Sequence, residues 1–186
     1  MEGSSKRIPS NSKRLLNSLS LLKLHYGEGL KDFRLRQLVF VLVCCQISFP
    51  RIYELLLREP DFSSWDTEFV NRITGGPNEK NLEIQKALDR ATQVHEEDFD
   101  EDWEQSLFKI VWLKDWQKNR LPEISRLLSE IKDKILGTTD AEEFKKSMNT
   151  ALKMTVVTAV SSTDDGFFAN LSNNEEGQVA ANRIDY

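Results

Sequence analysis

The feature that most constrains the fold is the apolar run from Leu38 to Ile47, which reads Leu-Val-Phe-Val-Leu-Val-Cys-Cys-Gln-Ile. Its ten residues are about half of the roughly 20 that a membrane-crossing helix needs. Wound as a helix, the run is apolar on every side, and such a helix belongs at the centre of a core. It therefore predicts a buried central helix that the rest of the chain must cover. That helix is expected from about Leu30 to Ser48, with Lys31, Arg34 and Arg36 in its first two turns.

The covering elements read as further helices. Ser10 or Ser12 caps a helix whose Leu15, Leu19, Leu22 and Tyr26 recur at steps of four, three and four, and Gly27 and Gly29 stop it. Pro50 suits the first turn of a third helix with Ile52, Tyr53, Leu55 and Leu56 inward, and Pro60 ends it. Ser64 or Asp66 caps a short helix to Ile73, and Gly75-Gly76-Pro77-Asn78 is a break. Helices are expected over Glu79–Val94, from about Asp102 to Lys118, and from Pro122 to Ile135 before Gly137. Thr139-x-x-Glu142 has capping-box spacing, and the last helix runs to about Val160 with Phe144, Met148, Ala151 and Leu152. No strand alternation of useful length and no internal repeat appear. The predicted fold is all-α, a multi-helix bundle-like domain with an irregular C-terminal tail. Its expected parts are a loose N-terminus at 1–9, an N-terminal helical half at 10–76, a C-terminal helical half at 77–160 and a polar tail at 161–186.

Charge is distributed unevenly. Residues 1–60 carry ten Lys/Arg against five Asp/Glu, whereas 61–120 carry eight against fourteen. The front is basic and the middle acidic, so the two attract each other or face different partners. The two cysteines are neighbours, Cys44 and Cys45. Adjacent helical residues point about 100° apart, so they do not bridge, and buried free thiols suit a cytoplasmic protein in a reducing compartment. Lys6 and Arg7 are followed by no apolar segment of the secretory kind.

Residues 8–73 resemble the helical region that follows the nucleotide-binding core in KAP-type bacterial P-loop NTPases, many of them linked to phage defence. The residues that carry this are Pro9-Ser10-Asn11-Ser12-Lys13-Arg14 with Asn17, the apolar run, Phe49-Pro50-Arg51-Ile52-Tyr53, and Arg58-Glu59-Pro60-Asp61-Phe62-Ser63-Ser64-Trp65-Asp66. The resemblance implies a helical, lid-like region in which Lys13, Arg14 and Asn17 face bound nucleotide. Ser10 stands where that family has an arginine able to reach phosphate, and no Gly-x-x-x-x-Gly-Lys-Ser/Thr occurs in the chain.

Candidate chemistry is sparse. Gly75-Gly76-Pro77-Asn78-Glu79-Lys80 lacks phosphate-loop spacing. His25 and His95 have no Ser or Cys partner at a recognisable spacing, and the seven carboxylates between Glu96 and Glu104 read as a hydrated run. Asp98, Asp100 and Asp102 alternate as in a calcium loop, but Trp103 occupies the position where the loop needs glycine. No catalytic residue, cofactor or metal ligand is assigned. The favoured reading is a non-catalytic helical interaction or regulatory module with a protein partner, a component of a bacterial defence system. Its candidate interaction residues are Lys13, Arg14, Asn17, Lys31, Arg34, Trp112 and Trp116. The rivals are a nucleic-acid-binding accessory protein, using the basic helices with Lys23 and Arg36 included, and an enzyme of unrecognised type.

Two cations on an exposed helix attract ATP weakly, and salt screens the attraction. Isothermal titration at physiological salt is expected to detect no ATP binding tighter than about 1 mM, or about 4 kcal/mol. A micromolar, magnesium-dependent site would refute this reading of the missing loop.

Overall fold

The computed structural model describes residues 10–76, 80–94, 99–137 and 140–159. Among them the chain is all helix, in eight α-helices with short 3₁₀ and π turns and no strand. The helices are α1 (Ser10–Tyr26), α2 (Phe33–Ser48), α3 (Pro50–Arg58), α4 (Thr67–Thr74), α5 (Asn81–Val94), α6 (Asp102–Lys114), α7 (Leu121–Glu130) and α8 (Ala141–Val156).

Helix α2 is the hub. It packs on α8, α3 and α1 and on the π turn Ile131–Leu136 that extends α7. Leu38, Val39, Leu42, Val43 and Cys45 are buried there. One aromatic cluster closes the other side of the core. The Phe62 ring meets Trp103 at 5.1 Å, Phe144 at 5.3 Å and Trp65 at 6.2 Å, all edge-on. Edge-to-face contact sets the positive rim of one ring against the negative face of another, which adds about 0.5–1.5 kcal/mol per pair beyond area burial. The two halves on either side of Gly75-Gly76 share this core, since α2 packs on α8 and α4 on α6.

Local chemistry places the helix ends, and several differ from expectation. Helix α2 begins at Phe33 rather than Leu30 because Asp32 caps it, accepting from the Leu35 N–H at 2.7 Å. Helix α6 stops at Lys114 rather than Lys118 because Asp115 and Gln117 both adopt left-handed backbone, with φ of 59° and 43°. That conformation cannot propagate a right-handed helix. Helix α8 is capped by Asp140, which accepts from the Glu143 N–H at 2.9 Å, while Thr139 lies outside the described residues. A reciprocal capping box forms instead at Glu101 and Glu104 at the start of α6. The tail at 161–186, Lys6, Arg7, His95, Asp98 and the 77–79 segment also lie outside the described residues.

One expectation is overturned by burial. The run Leu38–Ile47 is not covered on every side, because Phe40 leaves 45% of its surface exposed. Neighbours surround α2 on most of its circumference and leave one stripe open. No described helix is long and apolar enough to cross a membrane.

Leu42 is fully buried at the centre of α2. Leu42→Ala removes its contacts and leaves a cavity, so denaturant unfolding should show a loss of about 2–5 kcal/mol. A loss below about 1 kcal/mol would contradict the central position of this helix.

Candidate protein-docking face

Helices α1 and α2 form a hairpin joined through Gly27–Asp32. The inner face of α1 repeats at helical spacing as expected, with Leu22 buried and Leu15 and Tyr26 packed on the core. Where the pair meets at the surface, Leu19, Leu22, Lys23, Gly27 and Leu30 face Arg36, Val39 and Phe40 across a groove of about 380 Å³. The lining is mainly apolar, and the cations Lys23 and Arg36 stand in it. Arg36 also lies over the exposed Phe33 ring, 5.4 Å from its centroid.

A second groove flanks Phe40 on its other side. It measures about 640 Å³ and is lined by Arg36, Gln37, Phe40, Val41, Leu127, Glu130, Lys134 and Ile135. The π turn shapes its far wall. Bonding from i to i+5 stacks Leu136 over Ile131, and both are buried, with Ile135 between them also turned inward. Lys134 pairs with Glu130 on this wall. Phe40 is therefore a ridge between two apolar grooves, and the charge differs on either side: two cations on the α1 side, an ion pair beside Arg36 on the α7 side.

The residues expected to interact are scattered over different elements. Lys13, Arg14 and Asn17 are exposed on α1. Lys31 is exposed and pairs with Glu28. Arg34 lines a separate depression between α2 and α8 with Asp32, Glu143 and Lys146. Trp112 is half-buried on α6, stacked on Phe108 at 5.4 Å with the Lys118 ammonium 4.9 Å above it. Trp116 packs partly against the core. Trp65 and Trp103 are fully buried, their indole N–H groups bonded to the Glu59 carbonyl at 3.2 Å and the Glu101 carboxylate at 2.7 Å.

Sequence reasoning missed Phe33 and Phe40. Its signal was present: a helix apolar all round must either be enclosed or offer a surface. Only the number of neighbouring helices decides which.

Two thiols lie on α2 beside these residues. Burial raises Cys45 to about 12, helped by its neighbour Cys44, and half-burial raises Cys44. Nucleophilic attack requires the thiolate, which both positions disfavour. Glu104 is buried at the start of α6, its carboxylate accepting from Ser125 Oγ at 2.7 Å and from Ser129 Oγ at 3.4 Å. This carboxylate ties α6 to α7 and bonds back to the Glu101 N–H at 3.2 Å. Among the described residues no group of three or more His, Cys, Asp or Glu is placed to hold a metal ion. No family model, curated protein or solved structure matches the chain.

Native protein at pH 8 is expected to leave Cys45 unmodified by a thiol-disulfide reagent and to react slowly at Cys44, with both reacting after unfolding. Rapid release of two equivalents from folded protein would show that α2 is not packed as described.

Proposed function

We propose that the protein is a non-catalytic helical interaction module, related to the region behind the core of KAP-type P-loop NTPases. Its docking face is the Phe40 ridge with its two grooves. The observation that carries this reading is an exposed phenylalanine in the middle of the central core helix. A large aromatic at such a position loses hydrophobic stabilisation unless something covers it, and contiguous apolar surface rimmed by polar residues marks interaction sites. A groove between two helices with apolar walls suits an amphipathic helix or short segment that presents apolar anchors at i, i+3, i+4 and i+7.

Charge selects the partner. Helices α1 and α2 with their connection, residues 10–48, carry six Lys/Arg against two Asp/Glu. A partner segment with carboxylates beside its apolar anchors complements Lys23 and Arg36, and such complementarity raises association rate and specificity.

The test uses three probes: a synthetic amphipathic helix with Leu and Phe anchors and Glu flanks, a duplex DNA and a single-stranded RNA. Fluorescence anisotropy on the full chain should show the acidic peptide binding most tightly. Phe40→Glu and Arg36→Glu should each weaken it by about tenfold or more, or about 1.4 kcal/mol. Tighter binding of either nucleic acid, with affinity falling log-linearly in salt, would replace the protein-docking reading with a nucleic-acid one.

A further inference from the structure

We infer that the cavity between α2, the π turn and α8 is a binding site for a small zwitterion with an apolar body, the chemistry of a free amino acid such as leucine or phenylalanine. The site is distinct from the proposed docking face. The cavity shares only Ile135 with the α7-side groove and no residue with the α1-side groove.

The cavity holds about 380 Å³, near the lower end of the roughly 300–1,000 Å³ that small-molecule pockets occupy. Its walls pack directly on one another, α2 against α8 and against the π turn, so the lining side chains are carried on a rigid frame. Leu38, Ile135 and Leu136 are buried in the core and also line the cavity. They give it an apolar floor, from which a ligand with an apolar body releases water.

The rim carries charges of both signs. Arg34 comes from the first turn of α2 and Lys146 from the second turn of α8. Asp32 and Glu143 line the same cavity, yet among the described residues no ion pair joins them to Arg34 or Lys146. Asp32 Oδ1 already accepts from the Leu35 N–H as the cap of α2. The carboxylate of Glu143 and the hydroxyl of Ser147 make no hydrogen bond among the described residues. Glu143, Lys146 and Ser147 fall at i, i+3 and i+4 of α8, so all three share the face that lines the cavity.

Charge then selects the ligand. A carboxylate between Arg34 and Lys146 gains charge-assisted hydrogen bonds, and the guanidinium fork can hold it through two parallel ones. An anion without an ammonium faces Glu143 as a like charge, and a cation without a carboxylate faces Arg34, so both are discriminated against. A zwitterion answers both signs, with its ammonium on Glu143 and the Ser147 hydroxyl and its apolar body on the floor.

The test titrates the full chain with L-phenylalanine, N-acetyl-L-phenylalanine and L-phenylalaninamide, followed by amide nitrogen–proton correlation spectra. L-Phenylalanine should saturate with a Kd at or below about 1 mM. It should shift the Leu35, Ser147 and Thr150 amides and leave Leu19 and Leu127 in place. The acetylated form lacks the ammonium and the amide form lacks the carboxylate. Each should bind at least about fivefold more weakly, as follows from one lost charged hydrogen bond. Arg34→Gln should weaken L-phenylalanine by a similar factor. Glu143→Gln should weaken L-phenylalanine but not N-acetyl-L-phenylalanine, a split that loss of folding cannot produce. Both side chains are exposed, so both variants should keep the helical circular dichroism of the wild type. Absence of saturable L-phenylalanine binding would overturn the inference. Equal affinity for the three ligands, or shifts confined to the Phe40 grooves, would do the same. Each of these failures leaves the acidic-helix test of the docking face standing on its own.

Discussion

The structure depends on one buried amide. Gln46 sits near the end of α2, inside a run whose other side chains are apolar or thiol, and it is buried. An amide out of water costs free energy unless its polar atoms are bonded. Its Nε2 donates to the Thr155 carbonyl at 3.3 Å, and its Oε1 lies 3.0 Å from the Thr158 hydroxyl. That hydroxyl is also 2.7 Å from the Thr155 carbonyl and shares its one proton between the two. Tyr53 of α3 joins the same cluster, its hydroxyl 2.8 Å from Thr155 Oγ1. Apolar packing alone tolerates sliding of one helix along another. These bonds do not, because they connect positions over one hundred residues apart at single atoms. They set the depth of α8 against α2 and α3. Burial also raises Tyr53 to about 12, so the cluster stays neutral and intact through the physiological pH range.

With α2 held in this register, the remaining helices cover it unevenly. The π turn after α7 follows from the same demand for burial. Continuing as an α-helix would have aimed Leu136 away from the face that holds Ile131 and Ile135. The wider turn brings all three inward, and Gly137, at φ 66°, then lets the chain leave. The π turn and α1 stop short of meeting over α2, and the opening between them is where Phe40 shows. The proposed docking face is thus the gap left when α8, α3, α1 and the π turn close around a helix whose Leu38–Ile47 run is apolar on all sides.

The acidic stretch contributes structure at its end. Desolvation raises Glu101, and the hydrogen bonds from Lys132 and Trp103 outweigh it, so the carboxyl is held below its ordinary range. Through them Glu101 joins the start of α6 to the π turn and orients Trp103 under Phe62. A run that reads as solvated charge therefore supplies a cap and two ties at the base of the aromatic cluster.

Much of the fold was legible in the residues. Helical spacing of Leu15, Leu19, Leu22 and Tyr26, proline at the starts of α3 and α7, and the Gly75-Gly76 break depend on local backbone physics, which sequence encodes directly. Helix ends moved by a few residues where a side-chain cap such as Asp32 or a left-handed residue such as Asp115 competed with periodicity. The proposed docking face was legible only in its cations. Of the basic residues singled out beforehand, Lys13, Arg14, Lys31 and Arg34 lie outside the two grooves and only Lys23 and Arg36 stand in them, while Phe40 read as core, because exposure on an all-apolar helix is a property of its neighbours. Sequence by itself determined that α2 must be buried and by what kind of element. Only the tertiary structure decided which stripe of it stays open, since that depends on how many helices fit around a cylinder and on the register that Gln46 imposes.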